Sequence, residues 1–235
     1  MQEFLQGALI FLGYIFVFGT IIFGLRAIIK IPDELFRKIL HFLLLGAYLP
    51  ILFGFQTWWK PLILVAGLIV VFFPILYFLA KIPGFTAFVY ERKNGEFKDS
   101  MVLALSVILV SVAIGWGILG DKYLVLASVY AWGIGDAFAA LIGKKYGKHK
   151  IKWKLADNKK SVEGTLAMLI SSTISVTAVL LVRGGITPIP CFLIAIVAST
   201  ASTLMELCTK NGYDTITCPA VSMLIITPLL LAFGG

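Results

Sequence analysis

Long uninterrupted apolar runs dominate the hydrophobic pattern of this 235-residue chain. About 17 to 25 apolar residues are needed to cross the hydrocarbon core of a bilayer as a helix. The runs cover residues 4–29, 39–55, 61–80, 101–119, 123–142, 165–182, 188–207 and 216–233. Each run is apolar around its whole circumference and shows no alternation of period two, which favours helices over barrel strands. The pattern predicts an all-α polytopic membrane protein with about eight transmembrane helices.

The organisation along the chain is equally simple. The first run lacks a basic n-region and a clear small-residue cleavage site, so we expect it to be a permanent helix rather than a removed signal peptide. No soluble domain, low-complexity linker or internal repeat interrupts the series of runs. We therefore expect residues 1–235 to form a single transmembrane catalytic domain of unknown oligomeric state.

Composition supports the membrane assignment, and the charges predict an orientation. The chain is 60% hydrophobic and 14% charged, far from the averages of soluble domains. Seventeen of its 20 lysines and arginines, counting Arg26 at the end of the first run, fall at or in the loops after the first, third, fifth and seventh runs. Cytoplasmic loops carry such an excess, so both termini are expected outside and these loops in the cytoplasm, most simply at a prokaryotic plasma membrane.

The densest positive charge lies in residues 144–163. Part of it has a plain explanation, because basic cytoplasmic loops orient membrane proteins and attract anionic lipid. Eight lysines against two acidic residues would also suit a polyanion such as a nucleoside triphosphate. Nucleic acid is the weaker candidate and is not expected as a partner, since Tyr146 and Trp153 are the aromatic residues available for stacking.

Asp136 is a carboxylate inside an apolar run. Such a residue costs roughly 2.5 to 3.5 kcal/mol at the bilayer centre and generally marks an ion, proton or substrate site. Gly135, Ala139 and Gly143 form a face of small residues beside it. That face is either a close helix contact, with Asp136 satisfied by a neighbouring helix, or a groove that admits a ligand. In the second case Asp136 would hold a divalent cation or take a hydroxyl proton.

Three further polar residues map to the same predicted face of the membrane, namely His41, Glu206 and Asp214. Taken singly, the histidine is explained as an interfacial side chain and the two acids as helix caps or loop charges. Together with the basic segment they match what metal-assisted chemistry on a phosphorylated compound at the membrane surface requires.

Four ordered motifs carry a family resemblance. "RKILH" (37–41), "GDAFAALIGKKYGKHK" (135–150), "KKSVEG" (159–164) and "DTITCP" (214–219) resemble the CTP-dependent lipid kinases, the family of dolichol kinase, phytol kinase and the CTP-dependent diacylglycerol kinase. The central pattern is shared with CDP-diacylglycerol synthase. The last motif is similar to the kinase-type "D-N-x-T-x-P", although Thr215 stands where that pattern has asparagine.

The resemblance implies a membrane enzyme that transfers the γ-phosphoryl group of CTP to a lipid alcohol with the help of Mg²⁺ or another divalent cation. It places Asp136 and Asp214 on the metal, with Glu206 and Asp214 completing its shell or activating the alcohol. The residues implied in binding the nucleotide or its phosphates are Arg37, Lys38, His41, Lys144, Lys145, Lys159, Lys160, Ser161, Glu163 and Gly164.

Two other functions stay open at this point. A cytidylyltransferase acting on phosphatidate and CTP would share the central motif. A transporter would use Asp136 as a coupling residue and the basic loop as an orientation signal. The acceptor also stays open, since an apolar tunnel separates polyprenols, phytol, related isoprenoid alcohols and diacylglycerol by little free energy.

Overall fold

The fold of the chain was analysed in a computed structural model that describes residues 1–81, 96–152, 160–209 and 212–235, without the side chains of residues 96 and 97. This described part contains helices and no strand, which confirms the all-α prediction. Eight of its helices are long and apolar enough to span a membrane. They are Gln2–Ile28, Asp33–Phe53, Trp59–Leu79, Lys98–Ile118, Lys122–Tyr146, Val162–Arg183, Pro188–Cys208 and Asp214–Ala232.

The backbone contacts group the chain into two compact units, Met1–Ile118 and Leu119–Gly235. The first unit contains the helices α1 (Gln2–Ile28), α2 (Asp33–Gly46), α3 (Tyr48–Phe53), α4 (Trp59–Leu79) and α5 (Glu96–Ser111), the last continued by a π-helical segment, Val112–Ile118. The expectation of one catalytic domain stays a prediction.

The second predicted span is interrupted at Ala47, between α2 and α3. Pro50 explains the interruption, because it has no N–H to donate to the Gly46 carbonyl one turn earlier. Elsewhere in the first unit, Glu3 accepts hydrogen bonds from the backbone N–H groups of Gln56 and Thr57 and pairs with Lys60.

The second unit is built from four helices, α6 (Lys122–Tyr146), α7 (Val162–Arg183), α8 (Pro188–Cys208) and α9 (Asp214–Ala232). Each helix packs against the next, and α9 also packs against α6. Short connections, residues 184–187 and 209–213, make consecutive helices antiparallel. The C-termini of α6 and α8 therefore lie at the same end as the N-termini of α7 and α9. We call this the polar end of the unit.

The opposite end of the second unit is closed by an ion pair. Asp121 caps α6 by accepting hydrogen bonds from the N–H groups of Tyr123 and Leu124. Its other carboxylate oxygen lies 2.5 Å from Nε of Arg183, at the end of α7. A cleft of about 470 Å³ lies beside this pair and is lined by none of the predicted site residues.

Helix α6 is longer than the apolar run that predicted it. It continues past residue 142 to Tyr146 and includes Lys144 and Lys145, whose charges are favourable at the negative end of the helix dipole. Asp136 is therefore ten residues, or about 15 Å along the axis, from the end of α6. It lies deeper in the helix than the sequence indicated.

Candidate functional site

The polar end of the second unit brings three predicted acidic residues together. Asp136 lies in the C-terminal half of α6, Glu206 near the end of α8, and Asp214 is the first residue of α9. The carboxylates of Asp136 and Asp214 are close enough to Glu206 to repel it electrostatically. All three residues are half-buried. Three helices thus bring residues that are remote in sequence into one acidic cluster.

Trp132 fixes the position of Asp214. Its indole Nε1 donates a hydrogen bond of 3.1 Å to Oδ2 of Asp214. Trp132 precedes Asp136 by four residues, so the two side chains lie on the same side of α6, one turn apart. The indole thereby holds the first turn of α9 against the part of α6 that carries Asp136.

Lys160 places a positive charge in contact with this acidic cluster. Its Nζ lies 2.9 Å from Oε1 of Glu206, and the two side chains are 19% and 12% exposed. The ammonium group also donates to the main-chain carbonyls of Glu206 and Thr209, at the C-terminal end of α8. A positive charge is favourable there because the last carbonyls of a helix have no partners within it. Lys160 thus joins the basic segment to the acidic cluster.

Two parts of the basic segment (residues 144–163) pair with each other in antiparallel fashion, residues 149–151 with residues 160–162. The N–H of Ile151 donates to the Lys160 carbonyl at 3.0 Å, and that of Val162 donates to the His149 carbonyl at 2.9 Å. These bonds bring the two ends of the segment together. Lys159, a predicted phosphate ligand, lies outside the described residues.

Glu163, in the first turn of α7, links this antiparallel pairing to the helix. One of its carboxylate oxygens lies 2.7 Å from Nδ1 of His149, and the backbone N–H of His149 donates to both oxygens, at 3.2 and 3.3 Å. In the structure Glu163 therefore holds the chain at the start of the pairing. Its predicted part in phosphate binding stays a prediction.

The face of small residues beside Asp136 is used for helix packing. A Cβ atom on Gly164 would lie 2.8 Å from the Ala139 carbonyl oxygen and 3.2 Å from Cα of Gly143. One on Gly135 would collide with the Ser172 hydroxyl and lie 2.8 Å from Cγ of Met168. Backbones of α6 and α7 are thus in contact along this face. These glycines therefore form a close helix contact, and the predicted role of Asp136 beside them stays a prediction.

The remaining predicted residues of the second unit occupy the rim of the site. Ser161 is buried and caps α7, its Oγ accepting a hydrogen bond of 3.2 Å from the Gly164 N–H. Lys144 and Lys145 are exposed in the last turn of α6, where water-soluble ligands can reach them. The N-terminus of α7, the positive end of its dipole, faces the same rim, and the N–H groups of Val162 and Gly164 there donate to the His149 carbonyl and to Ser161 Oγ.

Arg37, Lys38 and His41 all lie on α2, in the first unit. Arg37 forms an ion pair of 3.4 Å with Glu34, one turn earlier on the same helix. The His41 ring contacts that of Phe42 edge to face, with centroids 6.5 Å apart. Their predicted contact with a nucleotide stays a prediction.

A compact metal cage is not preformed in the described part of the chain, which contains no group of three or more His, Cys, Asp or Glu side chains able to hold a metal ion. The donor chemistry nevertheless suits Mg²⁺. This ion usually takes one or two protein carboxylates and completes its octahedral shell with water and substrate phosphates. Asp136 and Asp214 could supply these two carboxylates.

Sequence reasoning missed two features of the site. One is Trp132, whose spacing of four from Asp136 was the available signal. The other is a row of buried hydroxyl side chains on α8, formed by Ser199, Ser202 and Thr203. These residues precede Glu206 by seven, four and three positions, so they share its helix face.

Comparison with known proteins gives one informative match. The chain is 29% identical over 203 residues to phytol kinase from Synechocystis sp., which covers 83% of this chain and 78% of the relative. No protein-family model and no solved structure matches it. The similarity supports a lipid kinase family, and the apolar helices support a membrane protein.

Proposed function

We propose that this protein is a membrane-embedded kinase that transfers the γ-phosphoryl group of CTP to a lipid alcohol at the cytoplasmic face. The observation that carries the proposal is the ion pair of Lys160 with Glu206 inside the cluster formed with Asp136 and Asp214. A cation that would bind phosphate and acidic groups that would serve a metal ion and a proton lie side by side at one end of the apolar bundle. The similarity to a phytol kinase supports the transfer of a phosphoryl group to a lipid alcohol.

Phosphoryl transfer leaves little covalent work to the protein, so catalysis consists mainly of positioning and charge stabilisation. Lys144, Lys145 and Lys160 would hold the triphosphate, and the positive dipole end of α7 would add to their attraction for it. Lys144 and Lys145 lie on the rim, where a water-soluble nucleotide would arrive.

Asp136 and Asp214 would hold the Mg²⁺ ion, which when bound neutralises negative charge on the phosphates. The Trp132 indole would keep Asp214 oriented. Glu206 is suited to accept the hydroxyl proton of the alcohol, because it is half-buried beside both acids and is paired with a lysine that phosphates would attract. The alcohol would enter sideways between helices from the lipid, and the nucleotide would enter from water. Each substrate would therefore react without leaving the medium in which it dissolves.

The decisive experiment uses two CTP samples, labelled in the γ- or in the α-phosphate. Purified protein in detergent with Mg²⁺ is offered a mixture of phytol, other prenols and diacylglycerol. Label from the γ-position in a lipid product is expected and identifies the acceptor. Label from the α-position entering lipid after addition of phosphatidate would indicate a cytidylyltransferase, and absence of transfer from both would contradict an enzyme of either kind.

Metal dependence is tested in the same assay. We expect EDTA to abolish transfer and excess Mg²⁺ to restore it. A protein that transfers phosphate at an unchanged rate in EDTA would contradict the assignment of Asp136 and Asp214 to a cation.

A further inference from the structure

The row of hydroxyl side chains on α8 behaves differently from the other hydroxyls of the second unit. Within the transmembrane helices, serine and threonine normally donate to the carbonyl one turn earlier, as Ser128 does to Leu124 and Ser222 to Cys218, at 2.7 and 2.9 Å. Thr200, on the exposed side of α8, does the same with Ile196 at 2.8 Å. These hydroxyls are satisfied by their own helices.

Ser199, Ser202 and Thr203 depart from this rule together. They are 0%, 0% and 4% exposed, and within the described residues none of their hydroxyl oxygens has a nitrogen or oxygen atom as hydrogen-bond partner. Ser202 faces the thiol of Cys218 on α9, and sulfur is at most a weak partner. A buried polar group without a partner is costly, so three on one helix face require an explanation.

The chemistry of the row indicates the ligand. Hydroxyl groups are neutral, and each can donate one hydrogen bond and accept others. A phosphate or a carboxylate would call for cations, which the structure shows at Glu206 and on the rim rather than beside Ser199. The matching partner for a row of neutral hydroxyls is another hydroxyl group.

The position of the row indicates what that ligand is for. Thr203 is one turn of α8, roughly 5 Å, from Glu206, and Ser199 is roughly 10 Å from it, farther from the polar end. A lipid alcohol that approaches from the apolar interior would meet these hydroxyls immediately before it meets the acidic cluster.

We propose that Ser199, Ser202 and Thr203 bind the hydroxyl head of a single-chain primary alcohol and present it to Glu206. This inference rests on the proposed function. The residues are tightly buried, so the site suits a hydroxyl at the end of one hydrocarbon chain better than that of diacylglycerol, whose CH2OH group adjoins a carbon that carries an ester. A bound water molecule has the same hydrogen-bonding chemistry and is the alternative ligand for these three hydroxyl groups.

The test measures ligand binding without catalysis. Phytol is added to detergent-purified wild-type protein and to the double variant Ser202→Ala/Thr203→Val, and the apparent Tm is recorded. Phytane, which has the same chain without a hydroxyl, controls for partitioning into micelles. Thr200→Val is the matched control variant, since its hydroxyl lies on the exposed face of the same helix.

We expect phytol to raise the apparent Tm of the wild type and of Thr200→Val by about 2 to 4 °C more than phytane does. The double variant should lose most of this difference, and dioleoylglycerol should produce a smaller one in the wild type. If the double variant cannot be purified, Thr203→Val alone should reduce the phytol shift and Thr203→Ser should restore it.

Each contrary result has a distinct meaning. A full phytol shift in a double variant that is less stable than the wild type would overturn the proposal in favour of bound water. A full shift in a double variant that is more stable would show that the hydroxyls hold no ligand. Hydroxyl-dependent phytol binding in a protein that transfers no phosphate from CTP would support this site and contradict the proposed function.

Discussion

At the scale of single residues, the proposed reaction depends most strongly on the Asp136 carboxylate. Asparagine keeps its size and polarity but removes the negative charge. We expect Asp136→Asn to lower turnover at least about 100-fold, because both a metal ligand and a proton acceptor need that charge. The yield of monodisperse protein in detergent should be unchanged. A fully active variant would exclude Asp136 from the mechanism.

The pair formed by Lys160 and Glu206 allows a second prediction at this scale. In Lys160→Met the Glu206 carboxylate stays largely buried beside two other acids, so we expect a loss of stability of about 1 to 3 kcal/mol and a loss of activity. Adding Glu206→Gln should restore the apparent Tm without restoring turnover.

Lys60→Met provides a matched control for that pair. Lys60 is paired with Glu3 in the first unit, and the two side chains are 17% and 28% exposed. The substitution should lower the apparent Tm and leave the KM for CTP unchanged. Equal losses of nucleotide affinity in both variants would contradict a direct role for Lys160.

At the scale of helices, the contact of α6 with α7 depends on glycine. We expect Gly164→Ala to destabilise the protein by about 1 to 3 kcal/mol, because the new methyl group meets backbone atoms, which cannot turn aside. Gly67→Ala, on α4, should be neutral or slightly stabilising, since no atom lies within 4 Å of the added Cβ. Size-exclusion profiles and apparent Tm values measure the difference.

The sequence predicted the helices well and the contacts within the site poorly. Apolar runs are set by the bilayer and need no tertiary information, so all eight spans were found. The contacts that define the site join residues far apart in the chain, 46 positions from Lys160 to Glu206 and 82 from Trp132 to Asp214. Motifs singled out Asp136 and Asp214, and helix packing decided that these two residues meet Glu206.

The contacts of Glu163 and of the small-residue face also depend on how distant parts of the chain pack, so the sequence did not define them. Spacing showed that Gly135, Ala139 and Gly143 share one side of a helix, but a groove and a packing contact have the same spacing. The position of α7 was needed to distinguish them. Likewise, the bond from Glu163 to His149 depends on the pairing of two segments that the motif leaves undefined.

At the scale of the whole molecule, the distribution of lysines and arginines predicts which end of the second unit faces the cytoplasm. In a cysteine-free background, a cysteine at exposed Lys148 should react with a membrane-impermeant maleimide only in inside-out vesicles. A cysteine at Gly185, at the opposite end of the same unit, should react in right-side-out vesicles. The reverse pattern would place the polar end outside, where cytosolic CTP is absent.

The hydrogen bond from Trp132 to Asp214 has an optical consequence. Indole emission responds to the charge and polarity of its immediate surroundings, and this indole touches a carboxylate proposed to hold the cation. With the other four tryptophans replaced by phenylalanine, the remaining fluorophore would report events at the acidic cluster in real time. Stopped-flow mixing with nucleotide, cation or alcohol would then give the order in which the ligands arrive.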